Sequence, residues 1–194
     1  ELPSWIDRLQ DQAHRYRAPW MFPAVYMAMG SQSFSEGDPA EALLSFRKAV
    51  TVAAEAGSML DEGMGAARVI SASLARPGAG LDDEVHDMLV RIRDTRSWTV
   101  VASACEPIAN RLALDGELRA AATLLGGLLA APASSHRNRL RAETTRLVNE
   151  LPDVEQFVYE GASMSPNELV EFAIAQIPSV EDAGDIVLST RTPT

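Results

Sequence analysis

Lysine is all but missing from this chain: Lys48 is the only one among 194 residues. A phosphate-binding loop of the Gly-x4-Gly-Lys kind needs its lysine behind a glycine, and here Phe46-Arg47 precede it, so that class is excluded. Kinase and Schiff-base chemistry lose their lysine as well. Cysteine is reduced to Cys105, which rules out an internal disulfide framework and gives no sign of an oxidising compartment. Aromatic residues make up only 6%. No apolar run approaches the ~20 residues that span a bilayer, and no charged-then-apolar leader opens the chain. Positive charge is short too. Seventeen Lys and Arg stand against 27 Asp and Glu, a net charge of -10, and such a surface repels phosphate backbones. The expectation is a cytoplasmic chain that binds neither nucleic acid nor membrane directly. It opens on Glu1 rather than Met, as a piece of a longer protein or a processed one would.

What is present is Ala, Leu and Arg in helical patterns. Arg in place of Lys, with abundant Ala, is the composition of a high-GC bacterial genome. Hydrophobic residues make up 46% and charged residues 23%, ordinary values for a soluble globular chain. Ser4 caps a first helix with Trp5, Ile6, Leu9, Ala13 and Tyr16 at helical spacing, and Arg17-Ala18-Pro19 ends it. A second helix follows from Met21 to Phe34, stopped by Gly37. Asp38-Pro39-Ala40-Glu41 starts a third as cap, first-turn proline and capping box, and Gly57 ends it. Met59 to Ala75 reads as a fourth, with Met59, Leu60, Met64, Ala67, Ile70 and Leu74 inward. Arg76-Pro77-Gly78-Ala79-Gly80 is a loop, and Asp82-Asp83-Glu84 opens the next helix against its dipole. Trp98 to Leu114 is helical in pattern, with Pro107 expected to kink it or break it near Glu106. Asp115-Gly116 turns the chain. Later helices are expected over 136–150, from Pro152, and from Ser165 to Ile177.

A spacing recurs. Tyr26, Met29 and Gly30 are followed by Ala42, Phe46 and Ala49; Val85, Leu89 and Ile92 repeat that triplet, and Ala121, Leu125 and Leu128 repeat it again. The triplets begin at 42, 85 and 121. The first copy resembles the tetratricopeptide pattern W-x2-L-G-x2-Y…A-x3-F-x2-A, with Ser33 in place of the final aromatic of the first helix. In it Gly30 and Ala42 let two helices approach and Phe46 fills the space between them. The expected fold is all-α: a right-handed superhelix of antiparallel hairpins with about nine or ten helices. It spans residues 1–177 as one domain, with 178–194 as an extended or disordered tail. Such an array lines its groove with first-helix residues, which points to Gln32, Arg68, Arg76 and Arg111.

Other candidate chemistry meets a plainer reading at each site. Ser45-Phe46-Arg47-Lys48 has the Ser-x-x-Lys form of penicillin-binding enzymes, but the companion Lys-Thr-Gly cannot occur in this chain. Asp82, Asp83, His86 and Asp87 are the best metal candidates, since spacings of three and four residues place His86 on the same helical face as Asp82 and Asp83. The plainer reading is a helix N-terminus with His86 paired to one carboxylate. Gly63-Met64-Gly65 is a lone Gly-x-Gly with no strand before it. Cys105 reads as a small core residue. His136, Arg137, Arg139, Arg141 and Arg146 form the one basic cluster, read as a solvated helix face. The methionines near Trp20 and Tyr26 read as core filler. No cofactor is expected.

From residue 97 onward a resemblance to known proteins sets in. Ser97-Trp98-Thr99-Val100, Asn110 through Gly116, Ala120 through Gly127, and Phe157 through Ser165 with Glu168, Leu169, Val170 and Ala173 carry it. Together they resemble the C-terminal tetratricopeptide-like region of large bacterial signal-transducing NTPase regulators. These include LuxR-type transcriptional activators and ATPase-linked adenylate cyclase-like proteins. The resemblance runs from Trp20 to Ile177, and the NTPase, cyclase and helix-turn-helix modules of that family lie outside it. It implies a non-catalytic regulatory module whose partner is another protein or the parent's own remaining domains. A small-molecule inducer is the alternative partner, and a metal-dependent enzyme a remote third. Oligomeric state and ligand identity stay open.

Overall fold

The computed structural model describes residues 4–131 and 139–177. Among them are ten α-helices and no strand: α1 (Trp5–Arg15), α2 (Phe22–Ser35), α3 (Pro39–Glu55), α4 (Met59–Leu74), α5 (Asp83–Arg93), α6 (Trp98–Leu114), α7 (Leu118–Ala130), α8 (Arg139–Val148), α9 (Val154–Ala162) and α10 (Pro166–Ile174). A 3-10 turn over Pro19–Met21 leads into α2. No helix among the described residues is long and apolar enough to cross a membrane. The loop from Pro132, the start of the helix after it and the expected tail over 178–194 lie outside the described residues.

Local chemistry explains the helix ends. Ser4 and Ser165 form complete capping boxes: each hydroxyl accepts from a backbone N–H three residues on, and Asp7 or Glu168 accepts from the serine's own N–H. Asp38 was expected to do the same with Glu41, and does half of it. Its carboxylate accepts from the Glu41 N–H at 3.0 Å, but the Asp38 N–H donates to the Ser33 carbonyl at 2.9 Å and so cannot serve Glu41. That second bond closes α2 in a Schellman turn, with Gly37 in the left-handed region (φ 85°). The same pair of bonds closes α3 at Gly57, α6 at Gly116 and, with no glycine, α1 at Arg17 (φ 48°).

The core follows the recurring triplets. Ala42, Phe46 and Ala49, Val85, Leu89 and Ile92, and Ala121, Leu125 and Leu128 are all buried. All of them but Ala49 join one cluster running from Ala42 to Ile177. In sequence order α2 packs on α3, α3 on α4, α4 on α5 and α6 on α7; alternate helices also meet, α4 against α6 and α6 against α8. Two features fall outside that simple order. α5 barely touches α6, and α10 returns to lie against α5, α6 and α7. α9 packs along α7 at very short range. A Cβ on Gly126 would strike the Val158 carbonyl, and one on Gly161 would strike the Thr123 carbonyl.

Several expectations are corrected. Met59 and Leu60, read as inward, are 58% and 59% exposed, whereas Ala67 and Ile70 further along α4 are buried. Trp5, Tyr16 and Trp20 are likewise exposed, so the aromatic N-terminal end is mostly surface. Pro107 does not break α6, which runs through it. Buried side chains from Val100 to Ala113 hold the helix on both sides of the proline, and tertiary packing overrides its local preference. Gly63 and Gly65 lie inside α4, where Thr95 and Val50 press against them; close packing accounts for both.

Candidate functional site

Two helical stripes face each other across a cleft. On α4, Arg68, Ser71, Leu74 and Ala75 fall on one side of the helix; on α6, Pro107, Asn110, Arg111 and Leu114 do the same. Phe34, in the last turn of α2, closes one end, and Leu140 of α8 contributes a further wall. The cleft encloses about 390 Å³. That is the lower part of the range occupied by small-molecule sites, and far too little for a folded partner. Phe34 and Leu114 remain 39% and 55% exposed, which is unusual for large apolar side chains in a concavity.

Its electrostatics are set by how few of its polar groups are free. Arg111 makes a two-pronged ion pair with Asp115 one turn on, which raises its pKa and keeps it charged. The Asn110 amide donates to Thr144 and Glu143 of α8, each at 3.4 Å, and the Thr144 hydroxyl in turn donates to the Leu140 carbonyl. Beneath them Glu106 and Arg141 form an ion pair at 3.3 Å, with both side chains nearly buried. Ser71 donates to the Ala67 carbonyl. Arg68 is different: it is exposed and has no hydrogen-bond or ion-pair partner among the described residues.

Of the four groove residues expected from sequence, the structure brings Arg68 and Arg111 together in this cleft. Gln32 and Arg76 do not line it. Gln32 is exposed and donates to Glu36 at the end of its own helix. Arg76 donates to the Ser73 carbonyl and lies near Glu84. Ser71, Asn110, Leu74, Leu114 and Phe34 were missed, although each stripe shows in the sequence as steps of three and four residues from its arginine.

The other candidates resolve into structure. Asp82 caps α5, its carboxylate accepting from the Val85 N–H at 3.1 Å, and His86 lies 3.7 Å from Asp87. No group of three His, Cys, Asp or Glu converges on a metal-sized space among the described residues. Cys105 is fully buried, and burial pushes its thiol up to about 12, which keeps it protonated and unreactive. Arg141, read as part of a solvated basic face, is instead the buried partner of Glu106; Arg146 is exposed, and the side chains of 136–139 lie outside the described residues. A second hollow, lined by Tyr26, Glu41, Leu44, Arg47 and Lys48, is larger, about 610 Å³, but more open to solvent. Its two basic groups are engaged locally: Arg47 pairs with Glu84 at 2.6 Å and Lys48 sits 5.8 Å over the Tyr26 ring. Compared with protein-family models, curated proteins and solved structures, the chain matches none of them.

Proposed function

We propose that the chain is a non-catalytic, tetratricopeptide-like interaction module of a bacterial transcriptional regulator or signalling ATPase, docking on other domains and gating their state. The observation that carries this reading is the order of the helices around the cleft, not the volume of the cleft, which is too small to seat a folded partner. Helices two apart in sequence, α2, α4, α6 and α8, jointly line one concave surface, as alternate helices of a superhelical hairpin array would. The buried triplets support the same register. The polar residues that could suggest chemistry are engaged in caps and ion pairs, which favours scaffolding over catalysis. Cytoplasmic location belongs to the same proposal.

The test is to mix the purified chain with the parent regulator's nucleotide-hydrolysing module and follow complex formation by analytical ultracentrifugation. A complex that also changes the module's hydrolysis rate is expected. No complex at tens of micromolar, or substrate turnover by the isolated chain, would sink the proposal. A second reading, a sensor for a small-molecule inducer, is favoured by one specific observation. The cleft is of small-molecule size and keeps a charged side chain uncommitted.

A further inference from the structure

We infer that the cleft between α2, α4, α6 and α8 binds a small apolar monocarboxylic acid, its carboxylate on Arg68 and its hydrocarbon body against Phe34, Leu74, Leu114 and Leu140. The inference deepens the sensor reading and rests on it. The walls are apolar over most of the cleft, with two large side chains left open to solvent inside a concavity. Such surface is stabilised by a hydrocarbon that displaces its water.

The sign and number of charges select the head group. Among the described residues two charged side chains line the cleft, both arginines. Asp115 neutralises Arg111, and Asn110 has its amide turned toward α8. Among these described residues one positive charge is left without a partner, on Arg68. A guanidinium presents paired N–H donors that match the two oxygens of a carboxylate. A phosphate dianion would need more donors and more positive charge than one free arginine supplies, in a chain whose net charge is -10. An amine would face the arginine directly. The volume suits an acid of about eight to twelve carbons.

The experiment is an NMR titration of the full chain with four probes: octanoate, octan-1-ol, octylamine and inorganic phosphate. Octanoate should give saturable amide shifts confined to the stretches around Phe34, Arg68–Ala75 and Pro107–Leu114. It should bind about tenfold tighter than the alcohol, as a charged hydrogen bond to one arginine implies. Added salt should shrink that preference. Arg68→Met should make acid and alcohol bind equally while leaving the melting temperature unchanged, since Arg68 is exposed. Arg68→Lys should restore part of the preference. Leu114→Asn should weaken both probes together.

Equal binding of acid and alcohol to the unmodified chain, an unaltered preference in Arg68→Met, or shifts scattered over the surface would each overturn the inference. If octan-1-ol or octylamine shifts the cleft amides and octanoate does not, the carboxylate assignment falls while the sensor reading stands. If no probe shifts them, both fall, and the docking reading is judged separately by its own complex.

Discussion

The contact between α2 and α3 and the contact between α7 and α9 solve one problem in two ways. In each, glycine lets helices approach closely. At the first, a Cβ on Gly30 would lie 2.5 Å from the Phe46 ring, so the glycine accommodates a side chain that is itself fully packed. At the second, Gly126 and Gly161 accommodate the carbonyls of Val158 and Thr123, so backbone meets backbone with no side chain between. The difference lies in what can give way. A ring can be trimmed by substitution, whereas a carbonyl cannot. The aromatic contact should therefore be repairable, and the backbone contact between α7 and α9 should not.

The largest expected effect tests the aromatic wedge. Phe46→Ala should cost ~3–5 kcal/mol in denaturant unfolding, because it leaves a ring-sized void in a site that is 2% exposed. A loss under ~1 kcal/mol would mean that the ring is not the wedge. Next comes Gly161→Ala at about 3 kcal/mol, the upper end of overpacking costs, since α9 as a whole must move off α7. Truncating Thr123 to Ala should bring no relief, because the atom struck is main chain. Gly30→Ala sharpens the contrast most. It should cost ~1–3 kcal/mol in the native background. In a Phe46→Ala background it should change sign and stabilise by about 1 kcal/mol, as alanine does over glycine within a helix. A double-mutant cycle without that reversal would dissolve the distinction between the two contacts.

A smaller effect concerns the polar staple beside the aromatic hairpin. Glu84 of α5 accepts from Arg47 of α3 at 2.6 Å and from Ser73 of α4 at 2.9 Å. The Arg47 hydrogen bond, with help from Ser73, holds the Glu84 carboxyl below its ordinary value. A depressed folded pKa contributes stability above the unfolded value, and that contribution fades as pH falls through the folded one. Glu84→Gln should therefore cost up to ~1 kcal/mol at neutral pH, given the exposure of the pair, and nothing once both states are protonated. Unfolding curves for the two chains at pH 7 and in strong acid should show the gap closing. The smallest change runs the other way. Arg17 occupies the left-handed position that glycine takes in the other three turns, so Arg17→Gly should stabilise by up to ~1 kcal/mol, read as a raised melting temperature.

Much of this architecture is legible in the sequence because its causes are local. Capping serines and aspartates, glycine stops and triplets at helical spacing mark the helices and their buried sides. Contacts between distant segments leave no such mark. Nothing near Leu169 indicates that α10 will settle against α5 and α7. Nothing near Arg141 indicates that Glu106 will draw it inside. Pro107 misleads for the same reason, since its helix is held by neighbours that the local pattern does not contain. The cleft is intermediate. Arg68 and Arg111 each lie on the first helix of a hairpin; Gln32 does too but turns to Glu36, while Arg76 lies just past the end of α4 and donates to the Ser73 carbonyl. What separates the pairs is the company of Phe34, Leu114 and Leu140, brought in from three helices.

The return of α10 bears on how the molecule comes apart. A plain stack of hairpins touches only neighbours, so its ends can fray while its middle stays folded. Here Leu169 presses on Gly127 of α7, and Arg93 of α5 lies 3.5 Å from Glu171. The last helix thus bridges segments formed some eighty residues earlier and some forty. Such ties raise the mean sequence separation of contacts, which slows folding and discourages piecemeal unravelling. The molecule should melt in one cooperative step, and whatever engages one face of it should be felt along the whole chain.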